Sequence, residues 1–529
     1  MRRWLFGGLL LVAASLGAYL LFCHFSTQIN VPPPDYWPTE GWKRSTPEAQ
    51  GIYPDTLADG LQLVRDLKLH VHSLLVVRHG YVVAEANVYP FTEDTPQPIH
   101  SITKSIVATL VGIALDEGYI ESLNQPVLSF FPKLKGLEPK KRAITIRHLL
   151  TMTSGLDWPE HERPYSAPDN VVSRMKAAED PVRFVLERPT SANPGKEFNY
   201  NSGTWHVLMA ILARATGMDP YMFAKEHLFS PLGISRVSWE RDGSGLPWGG
   251  GGIRMRPRDL AKIGLLYLQR GFWEGKQVVS ANWVDQATRA HVNTDEDYGY
   301  GYGWWVYPPK SSIPRPIQRV FWASGGTSDR LYVIPALDMA LVLTGALDYQ
   351  ESQKVMDILL DMISSVKGVY GISPAPSGAA RLRALIATLE HPPQVDQPQA
   401  QEVFSSLPAL AYEISGRNYI LEANSYLRSF TLKFGQSSAY MTLVFNDGWV
   451  MPLSINLDGV RRYRELMSPY SHVVLTGFWE SGSVFVAEYE QAEAGLRLRL
   501  RLEFEGNLVH CTITDLLSGY SERVTGTAR

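Results

Sequence analysis

The sequence has few of the residues that mark metal, disulfide-linked or nucleic-acid-binding proteins. Among its 529 residues only Cys23 and Cys511 are cysteines, and neither lies in a Cys/His cluster with the spacing of a zinc site. It contains no His-Glu-x-x-His stretch, so metal chemistry is disfavoured. The formal net charge is only -3 and no basic stripe occurs, so nucleic acid is a disfavoured partner. We expect no metal and no cofactor.

The length and the changes in composition along the chain predict several domains. A chain of 529 residues is too long for one compact core. From about Gly41 the pattern mixes α and β, which predicts one domain over 29–372. Prolines then bracket one short helical piece, 381–389, which predicts a Pro-rich linker over 373–401. Period-two alternation, clearest at 496–504, predicts an all-β barrel or sandwich over 402–529.

Residues 1–28 form a predicted membrane segment. Arg2 and Arg3 precede an apolar run, 4–25, close to the ~20 residues that span a bilayer as a helix. An uncleaved anchor and a cleaved secretory signal are the two interpretations. The bulky residues 20–25 offer no clear cleavage site and favour the anchor. The rest of the chain would then lie outside the cytoplasm, periplasmic or extracellular, and it would be secreted if the segment is cleaved.

The strongest candidate for chemistry is the pair Ser101 and Lys104. Residues three apart on a helix share one face, so the lysine amine can lie beside the serine hydroxyl. A neutral amine in that place can take the serine proton and activate the oxygen as a nucleophile. The alternative makes Ser101 a helix cap and Lys104 a solvated side chain.

The surrounding sequence distinguishes this pair from others with the same spacing. Ser-x-x-Lys also occurs at 173–176 and at 364–367, so the spacing alone is weak. Upstream of Ser101, the β-branched runs in 73–87 join at His79 and Gly80, a hairpin signal. Downstream, apolar residues at helical spacing over 106–115 predict a buried helix. Ser101 would then lie where that helix begins, near its positive dipole end.

Other stretches contribute candidates of different strength. Tyr200 ends a turn-rich loop just before an apolar helix, from which its phenol could reach a neighbouring site; a half-buried structural tyrosine is the alternative. Residues 157–180 are polar and irregular, as in a loop over a cleft. His148 has apolar neighbours and is interpreted as structural. Residues 249–252 are glycines without a following Gly-Lys-Ser/Thr, which indicates a strand-to-helix connection instead of a phosphate loop.

Three stretches in order resemble the motifs of the penicillin-recognising serine hydrolases. They are Ser101-Ile-Thr-Lys104, the loop 200–202 and the strand 323–325. This group comprises class C β-lactamases, D-alanyl-D-alanine carboxypeptidases, family VIII esterases and 6-aminohexanoate-dimer hydrolases. The likeness covers about 45–370, and 144–155 and 257–262 also resemble the family. The all-β region is similar to the lipocalin-like domain of some members.

The resemblance implies a fold, a reaction and roles for individual residues. It implies a β-lactamase/transpeptidase-like α/β fold, an antiparallel sheet flanked by helices with an all-helical subdomain. Ser101 would be the acylated nucleophile, Lys104 its general base and Tyr200 the proton relay. The backbone amides of Ser101 and Gly326 would form the oxyanion hole. Ser202, Ser324 and Gly325 would contact substrate.

Two departures from the family pattern bear on the substrate. The tyrosine loop commonly reads Tyr-x-Asn, whereas Ser202 stands at the third place; the third motif commonly begins with Lys or His, whereas Ala323 stands there. A cation at that place helps to hold a substrate carboxylate, although Arg330 could supply one from elsewhere. We therefore predict a serine hydrolase acting on a small-molecule ester or amide. The alternatives are a β-lactamase or D-alanyl-D-alanine carboxypeptidase, and a catalytically silent, membrane-tethered penicillin-binding-like protein.

Overall fold

The hairpin predicted around His79 and Gly80 forms one edge of an eight-stranded antiparallel sheet in the computed structural model. The structure describes residues 31–165, 167–294, 298–307, 320–326, 328–367, 371–392, 407–435, 438–465, 472–492 and 495–529. The strand order in this main sheet is β2-β1-β13-β12-β11-β10-β9-β8. Its strands are β1 (Val71–Arg78), β2 (Tyr81–Asn87), β8 (Val292–Asn293), β9 (Gly299–Tyr300), β10 (Trp305–Val306), β11 (Phe321–Ser324), β12 (Arg330–Ile334) and β13 (Met339–Gly345).

Smaller sheets and helices complete this part of the chain. The short strands are β3 (Gln97–Pro98), β4 (Val237–Trp239), β5 (Ile253–Met255), β6 (Phe272–Trp273) and β7 (Lys276–Gln277). The helices are α1 (Pro54–Asp66), α2 (Thr103–Asp116), α3 (Ile146–Leu150), α4 (Val171–Lys176), α5 (Pro181–Glu187), α6 (Ser202–Thr216), α7 (Pro220–Ala224), α8 (Pro257–Leu268), α9 (Ala281–Ala287), α10 (Tyr349–Ser364) and α11 (Pro376–Leu389). Helices α2 to α7 follow one another between β3 and β4, as the predicted helical subdomain requires.

The main sheet is buried on both faces. Successive side chains along its β-branched and leucine-rich strands point alternately into two cores, which is the pattern of a sheet covered by helices on each side. Residues such as Val77 and Val342 face the core that contains α2, α6 and α8. Residues such as Val76 and Leu341 face the core that contains α1, α10 and α11. Helix α2 therefore starts beside the sheet and runs into an apolar interior.

Helix α11 starts earlier than the predicted helical piece and packs closely. Pro376 lies in its first turn, where proline is favoured because the amide it lacks needs no partner there. Leu382, Leu385 and Leu389 are buried in the core with α1. These residues of the predicted linker therefore form part of the outer helical layer, and the domain boundaries themselves stay predictions.

The C-terminal part is a second antiparallel sheet, with ten strands. The strand order is β17-β16-β15-β14-β23-β22-β21-β20-β19-β18. A short helix, α12 (Ala409–Glu413), precedes it, and the strands are β14 (Asn418–Leu421), β15 (Leu427–Phe434), β16 (Ala439–Phe445), β17 (Val450–Ser454), β18 (Arg464–Glu465), β19 (His472–Ser481), β20 (Val484–Gln491), β21 (Leu496–Glu505), β22 (Leu508–Asp515) and β23 (Ser521–Ala528). Phe434 and Phe485 come from strands far apart in this order, yet their rings lie 5.5 Å apart. The sheet therefore curls into a half-barrel around one aromatic core.

Buried charges join the two sheets. The Arg497 guanidinium on β21 donates to Glu351 Oε2 at 2.7 Å and to the Ala346 carbonyl at 2.9 Å. His70 Nδ1 lies 2.5 Å from Glu351 Oε1, and His70 Nε2 lies 3.6 Å from Glu490 Oε2 on β20. The half-barrel is thus held against the end of β13 by hydrogen-bonded ion pairs.

The predicted fold class is confirmed: an antiparallel sheet flanked by helices is followed by an all-β domain. Across the described part of the chain, no helix has the length and hydropathy needed to cross a bilayer. The predicted anchor, 1–28, lies outside the described residues.

Candidate active site

Ser101 and Lys104 meet at the start of α2. Ser101 lies in a single 3₁₀ turn, His100–Ile102, which leads directly into α2. Lys104 lies one turn further on, and its Nζ donates to Ser101 Oγ at 2.7 Å. A second hydrogen bond, of 2.6 Å to the Gly250 carbonyl, orients the amine. The predicted shared face is therefore observed, and the predicted glycine-rich connection supplies a backbone acceptor to it.

The Lys104 side chain is buried, with 1% of its surface exposed. Gly303 makes this possible: its φ is +76°, and a Cβ there would lie 2.9 Å from the Lys104 carbonyl oxygen. Ser105, beside Lys104, donates to the Gly303 carbonyl at 2.6 Å and fixes this close approach. Burial lowers the pKa of Lys104 from 10.5 to about 8, against the opposing effect of the Glu160 carboxylate. An appreciable fraction of this amine is neutral near pH 7, as a base requires.

Tyr200 lies over the same amine. The Lys104 ammonium is 4.8 Å from the centre of the Tyr200 ring. The ring is stacked between His161, at 5.3 Å, and Trp305, at 6.3 Å between centres. Burial and the nearby Glu160 charge raise the pKa of Tyr200, while a side-chain hydrogen bond with Ser101 and the Arg330 charge lower it. The phenol therefore keeps its proton at neutral pH and can donate it.

Ser202 is turned toward a carboxylate that the sequence analysis did not single out. Its hydroxyl donates to Glu160 Oε1 at 2.5 Å, and its backbone N–H donates to Glu160 Oε2 at 2.7 Å. Ser202 itself is 4% exposed. A substrate contact by this hydroxyl stays a prediction, since the structure shows it bonded within the protein.

The third predicted stretch ends β11 and begins a turn. Ser324, the last residue of β11, is partly exposed and pairs with Arg330 on β12. The Gly325 N–H donates to the Asp329 carbonyl at 2.8 Å, and a Cβ at Gly326 would meet no atom within 4 Å. Ser324 and Gly326 are therefore accessible, which is compatible with the predicted substrate contact of Ser324 and the oxyanion role of Gly326, whereas Gly325 is buried and its N–H is bonded within the protein. These three roles stay predictions.

Ala323 does not face the cleft. It is fully buried in the core that contains α2. The Arg330 guanidinium is a positive group at this turn, and it donates to the carbonyls of Asp329 at 2.9 Å and Gly325 at 3.3 Å.

His100 links the nucleophile turn to the third stretch. Its Nε2 lies 3.8 Å from Asp329 Oδ2, and Asp329 Oδ1 accepts from the Gly345 N–H at 3.1 Å. The backbone φ of His100 is 44°, in the left-handed region that side chains seldom adopt. Such strain is found where surrounding contacts fix a functional turn. His148 has the structural role that the sequence indicates, since its Nδ1 accepts from the Thr145 N–H in the capping box of α3.

Glu160, His100 and Asp329 are the residues that sequence reasoning missed. Each contributes a single ionisable side chain to a contact with a residue far along the chain, Glu160 to Ser202 and His100 to Asp329, so no local spacing marks these contacts. A weak signal for Glu160 is its place in the Trp-Pro-Glu-His segment, where an acid follows a large apolar residue. Among the described residues, no group of three or more His, Cys, Asp or Glu side chains could hold a metal ion.

Comparison with known proteins assigns the chain to a family. The family model described as Beta-lactamase matches residues 62–361. A 6-aminohexanoate-dimer hydrolase of Paenarthrobacter ureafaciens is 29% identical over 241 residues, which cover 43% of this chain and 60% of that protein. Monacolin J acid methylbutanoyltransferase of Aspergillus terreus is 29% identical over 168 residues, covering 28% of this chain and 40% of that protein. The chain thus spans about half the length of these relatives.

A solved structure supports the fold. EstCE1, a hydrolase with promiscuous acyltransferase activity, superposes with a TM-score of 0.50 at 16% identity, covering 60% of this chain and 99% of that one. The predicted family is confirmed. The chain belongs to the Beta-lactamase family, whose members include serine hydrolases and acyltransferases.

Proposed function

We propose that the chain is a serine hydrolase that forms an acyl-enzyme on Ser101 and then transfers the acyl group to water. The observation that carries the proposal is the 2.7 Å hydrogen bond between the Ser101 hydroxyl and the buried Lys104 amine. A nucleophile within hydrogen-bond reach of a base with a lowered pKa is the arrangement that covalent catalysis needs. We assign Ser101 as nucleophile, Lys104 as base and Tyr200 as proton relay.

The acylation step follows from these positions. Neutral Lys104 takes the hydroxyl proton as Ser101 Oγ bonds to the substrate carbonyl carbon. The carbonyl oxygen becomes an oxyanion, and the N–H groups of Ser101 and Gly326 would stabilise it. Each such donor is worth about 3 kcal/mol of barrier. The oxyanion then collapses and the bond from this carbon to the leaving oxygen or nitrogen breaks. Tyr200 gives its proton to the leaving atom, and the ammonium of Lys104 returns a proton to the phenolate.

Water completes the reaction. Neutral Lys104, directly or through the Tyr200 hydroxyl, takes a proton from a water molecule as its oxygen attacks the acyl carbon. The bond between that carbon and Ser101 Oγ then breaks, and the Lys104 ammonium returns the proton to Ser101 Oγ. The products are a carboxylic acid and the regenerated serine. The Lys104 side chain is buried and the Tyr200 ring is stacked against its neighbours, so both groups that transfer protons stay in the site throughout the reaction.

We propose a small ester or a short linear amide as substrate. Ala323 is buried where the family commonly has a cation, so that position offers no charge to a substrate carboxylate. The Paenarthrobacter ureafaciens relative is named a 6-aminohexanoate-dimer hydrolase, which supports amides in the test panel. The Arg330 guanidinium supports the second candidate, a β-lactam or D-alanyl-D-alanine substrate whose carboxylate it would bind.

One labelling experiment tests the chemistry. We expect a fluorophosphonate probe to label the wild-type chain and the Ser364→Ala variant, and not Ser101→Ala. Ser364 is a matched control because it has the same sequence spacing to Lys367 and lies at the end of α10, outside the site. Labelling of Ser101→Ala would refute the assignment, and an unlabelled wild-type chain would favour the catalytically silent binding protein.

A substrate panel on the wild-type protein, without exposure to the probe, then separates the candidates. It consists of p-nitrophenyl esters, 6-aminohexanoate dimer, nitrocefin and a D-alanyl-D-alanine peptide. We expect turnover of the esters or the linear amide. A kcat/KM that is highest for nitrocefin or the peptide and falls in Arg330→Met would replace our proposal with the second candidate.

We also propose that residues 1–28 anchor the chain in a membrane, with the catalytic part outside the cytoplasm. The support is the arginine pair followed by the apolar run 4–25. Membrane fractions washed with high salt test it. We expect the full-length chain to stay in the membrane pellet until detergent is added, and release by salt alone would contradict an anchor.

A further inference from the structure

Glu160 is a buried carboxylate with no part in the reaction as described so far. Only 1% of its surface is exposed. Besides the two donors of Ser202, it accepts from Trp158 Nε1 at 2.7 Å and from the Tyr165 hydroxyl at 2.7 Å. Within the described ranges no Lys, Arg or His side chain forms a salt bridge with it. Burying a carboxylate is costly unless hydrogen bonds compensate, so the placement calls for a reason.

The contacts of Glu160 fix the segment that carries Tyr200. Ser202 is the first residue of α6, and both its N–H and its hydroxyl end on this carboxylate. A negative charge at the N-terminus of a helix is favoured, because the unsatisfied N–H groups there carry partial positive charge. Glu160 therefore holds the beginning of a 15-residue helix, and with it the phenol of Tyr200 two residues earlier.

The charge of Glu160 also acts on the base and on the relay. It raises the pKa of Lys104, which burial lowers. It also raises the pKa of Tyr200, which burial raises as well. An anion in this place stabilises the ammonium that forms when Lys104 takes the serine proton. Preorganised charge of this kind is effective because the site is buried and little reorganisation is needed.

We infer that Glu160 is a positioning residue of the acyl-transfer site, a buried anion that holds Tyr200 beside Ser101 and stabilises the protonated form of Lys104. This inference rests on the proposed function. Glu160 touches no reacting atom: it acts through Ser202 on the geometry and through space on the proton. Among the described residues, the other titratable or charged groups around Lys104, Tyr200 and the adjoining His100 include His161, Tyr165, Lys176, Arg254, Tyr300, Asp329 and Arg330, and the test leaves all of them unchanged.

The test compares pH profiles of kcat/KM for an ester substrate. Glu160→Gln keeps the shape and removes the charge. Because the carboxylate raises the pKa of Lys104, we expect its loss to move the acidic limb of the profile to lower pH, by roughly one unit. We expect the plateau to fall roughly ten- to a hundredfold, as for a small displacement of a catalytic group.

Two further variants separate charge from geometry. Ser202→Ala keeps the charge and removes one bond of the positioning network, so we expect a lower plateau and an unmoved acidic limb. Glu162→Gln removes an exposed carboxylate of the same segment, and we expect the wild-type profile. A Glu160→Gln limb that coincides with the wild type, or that moves to higher pH, overturns the inference.

Folding failure and failure of the proposed function are distinguishable from these outcomes. Where Glu160→Gln does not fold, Glu160→Asp replaces it. That variant keeps the charge on a shorter side chain, so we expect a lower plateau with an unmoved limb, and a wild-type plateau in both Glu160→Asp and Ser202→Ala overturns the inference. A wild-type chain without fluorophosphonate labelling refutes the proposed function itself.

Discussion

Replacing Lys104 by methionine separates the cost of the buried amine from its use in the reaction. The amine is 1% exposed, and its pKa of about 8 lies below the usual 10.5 because burial disfavours the ammonium. That difference corresponds to roughly 3 kcal/mol of destabilisation at pH 7, where the folded chain must hold the charge in a buried place. Methionine fills a similar volume without a charge, so we expect Lys104→Met to lose acylation while the fold becomes less dependent on pH.

The pH dependence gives this prediction its sign. Because the pKa of Lys104 is lowered in the folded state, the unfolded chain binds more protons between about pH 8 and 10.5. The wild-type fold is therefore penalised below pH 8 and gains stability as the pH rises through this window. The methionine variant lacks the titration. We expect the free energy of unfolding of Lys104→Met, relative to wild type, to decrease by roughly 2 kcal/mol between pH 7 and pH 9.5.

Urea unfolding of the catalytic domain's core, followed by tryptophan fluorescence at the two pH values, measures this change. Lys354→Met is the control, since Lys354 is exposed on α10 and its removal should leave the difference constant. A stability difference between Lys104→Met and wild type that is the same at pH 7 and pH 9.5 would refute the reasoning. It would mean that the lysine is not held in a desolvated state.

Three further predictions concern stability. Burial raises the pKa of Asp338 to about 7, so its neutral form is favoured in the fold and stability falls as the pH rises from about 4 to 7; Asp338→Asn should remove this fall in urea titrations at several pH values. Gly112→Ala places a Cβ 2.5 Å from the Trp283 ring and should cost about 1–3 kcal/mol, measured at the urea midpoint. Arg497→Met removes the guanidinium partner of Glu351 and should cost about 3 kcal/mol and speed proteolysis between the two sheets.

Controls and contrary outcomes differ for these three. Asn is tolerated at the φ of 45° of Asp338, so a pH-independent loss in Asp338→Asn would contradict its protonation in the fold. Gly243→Ala, where a Cβ meets nothing within 4 Å, is the control for Gly112, and equal midpoints would contradict the close packing. Arg499→Met removes an exposed pair on the same strand, and an equal effect would contradict the special cost at Arg497.

Local sequence was enough for the features that depend on residues close together in the chain. Ser101 and Lys104 share a face because residues three apart on a helix lie on the same side. The strands β1 and β2 pair because the short turn between them favours a hairpin. The charged and apolar alternation at 496–504 likewise became β21. These features follow from the residue periodicity of helices and strands, which can be recognised in a single sequence.

Contacts between distant segments could not be predicted in the same way. Glu160 accepts a hydrogen bond from Ser202, which lies 42 residues further along the chain. A single acidic residue in a polar stretch belongs to no periodic pattern, so the sequence does not predict this contact. The motif position of Ser202 predicts a substrate contact, which stays a prediction, and does not reveal the hydrogen bond from its hydroxyl to Glu160. The prolines before 381 suggested a linker, although Pro376 in fact opens a packed helix, because proline marks both linkers and helix starts.

The ion pairs between the two sheets have a consequence for how this chain can be shortened. Glu351 belongs to the catalytic part, yet the guanidinium that pairs with it, Arg497, comes from the half-barrel, as does Glu490, which lies beside His70. Cutting the chain in the linker would remove both partners and expose the buried His70 imidazole and the partly buried Glu351 carboxylate to water. The half-barrel therefore supplies charged partners to the end of the main sheet, and separating the two parts would break this contact.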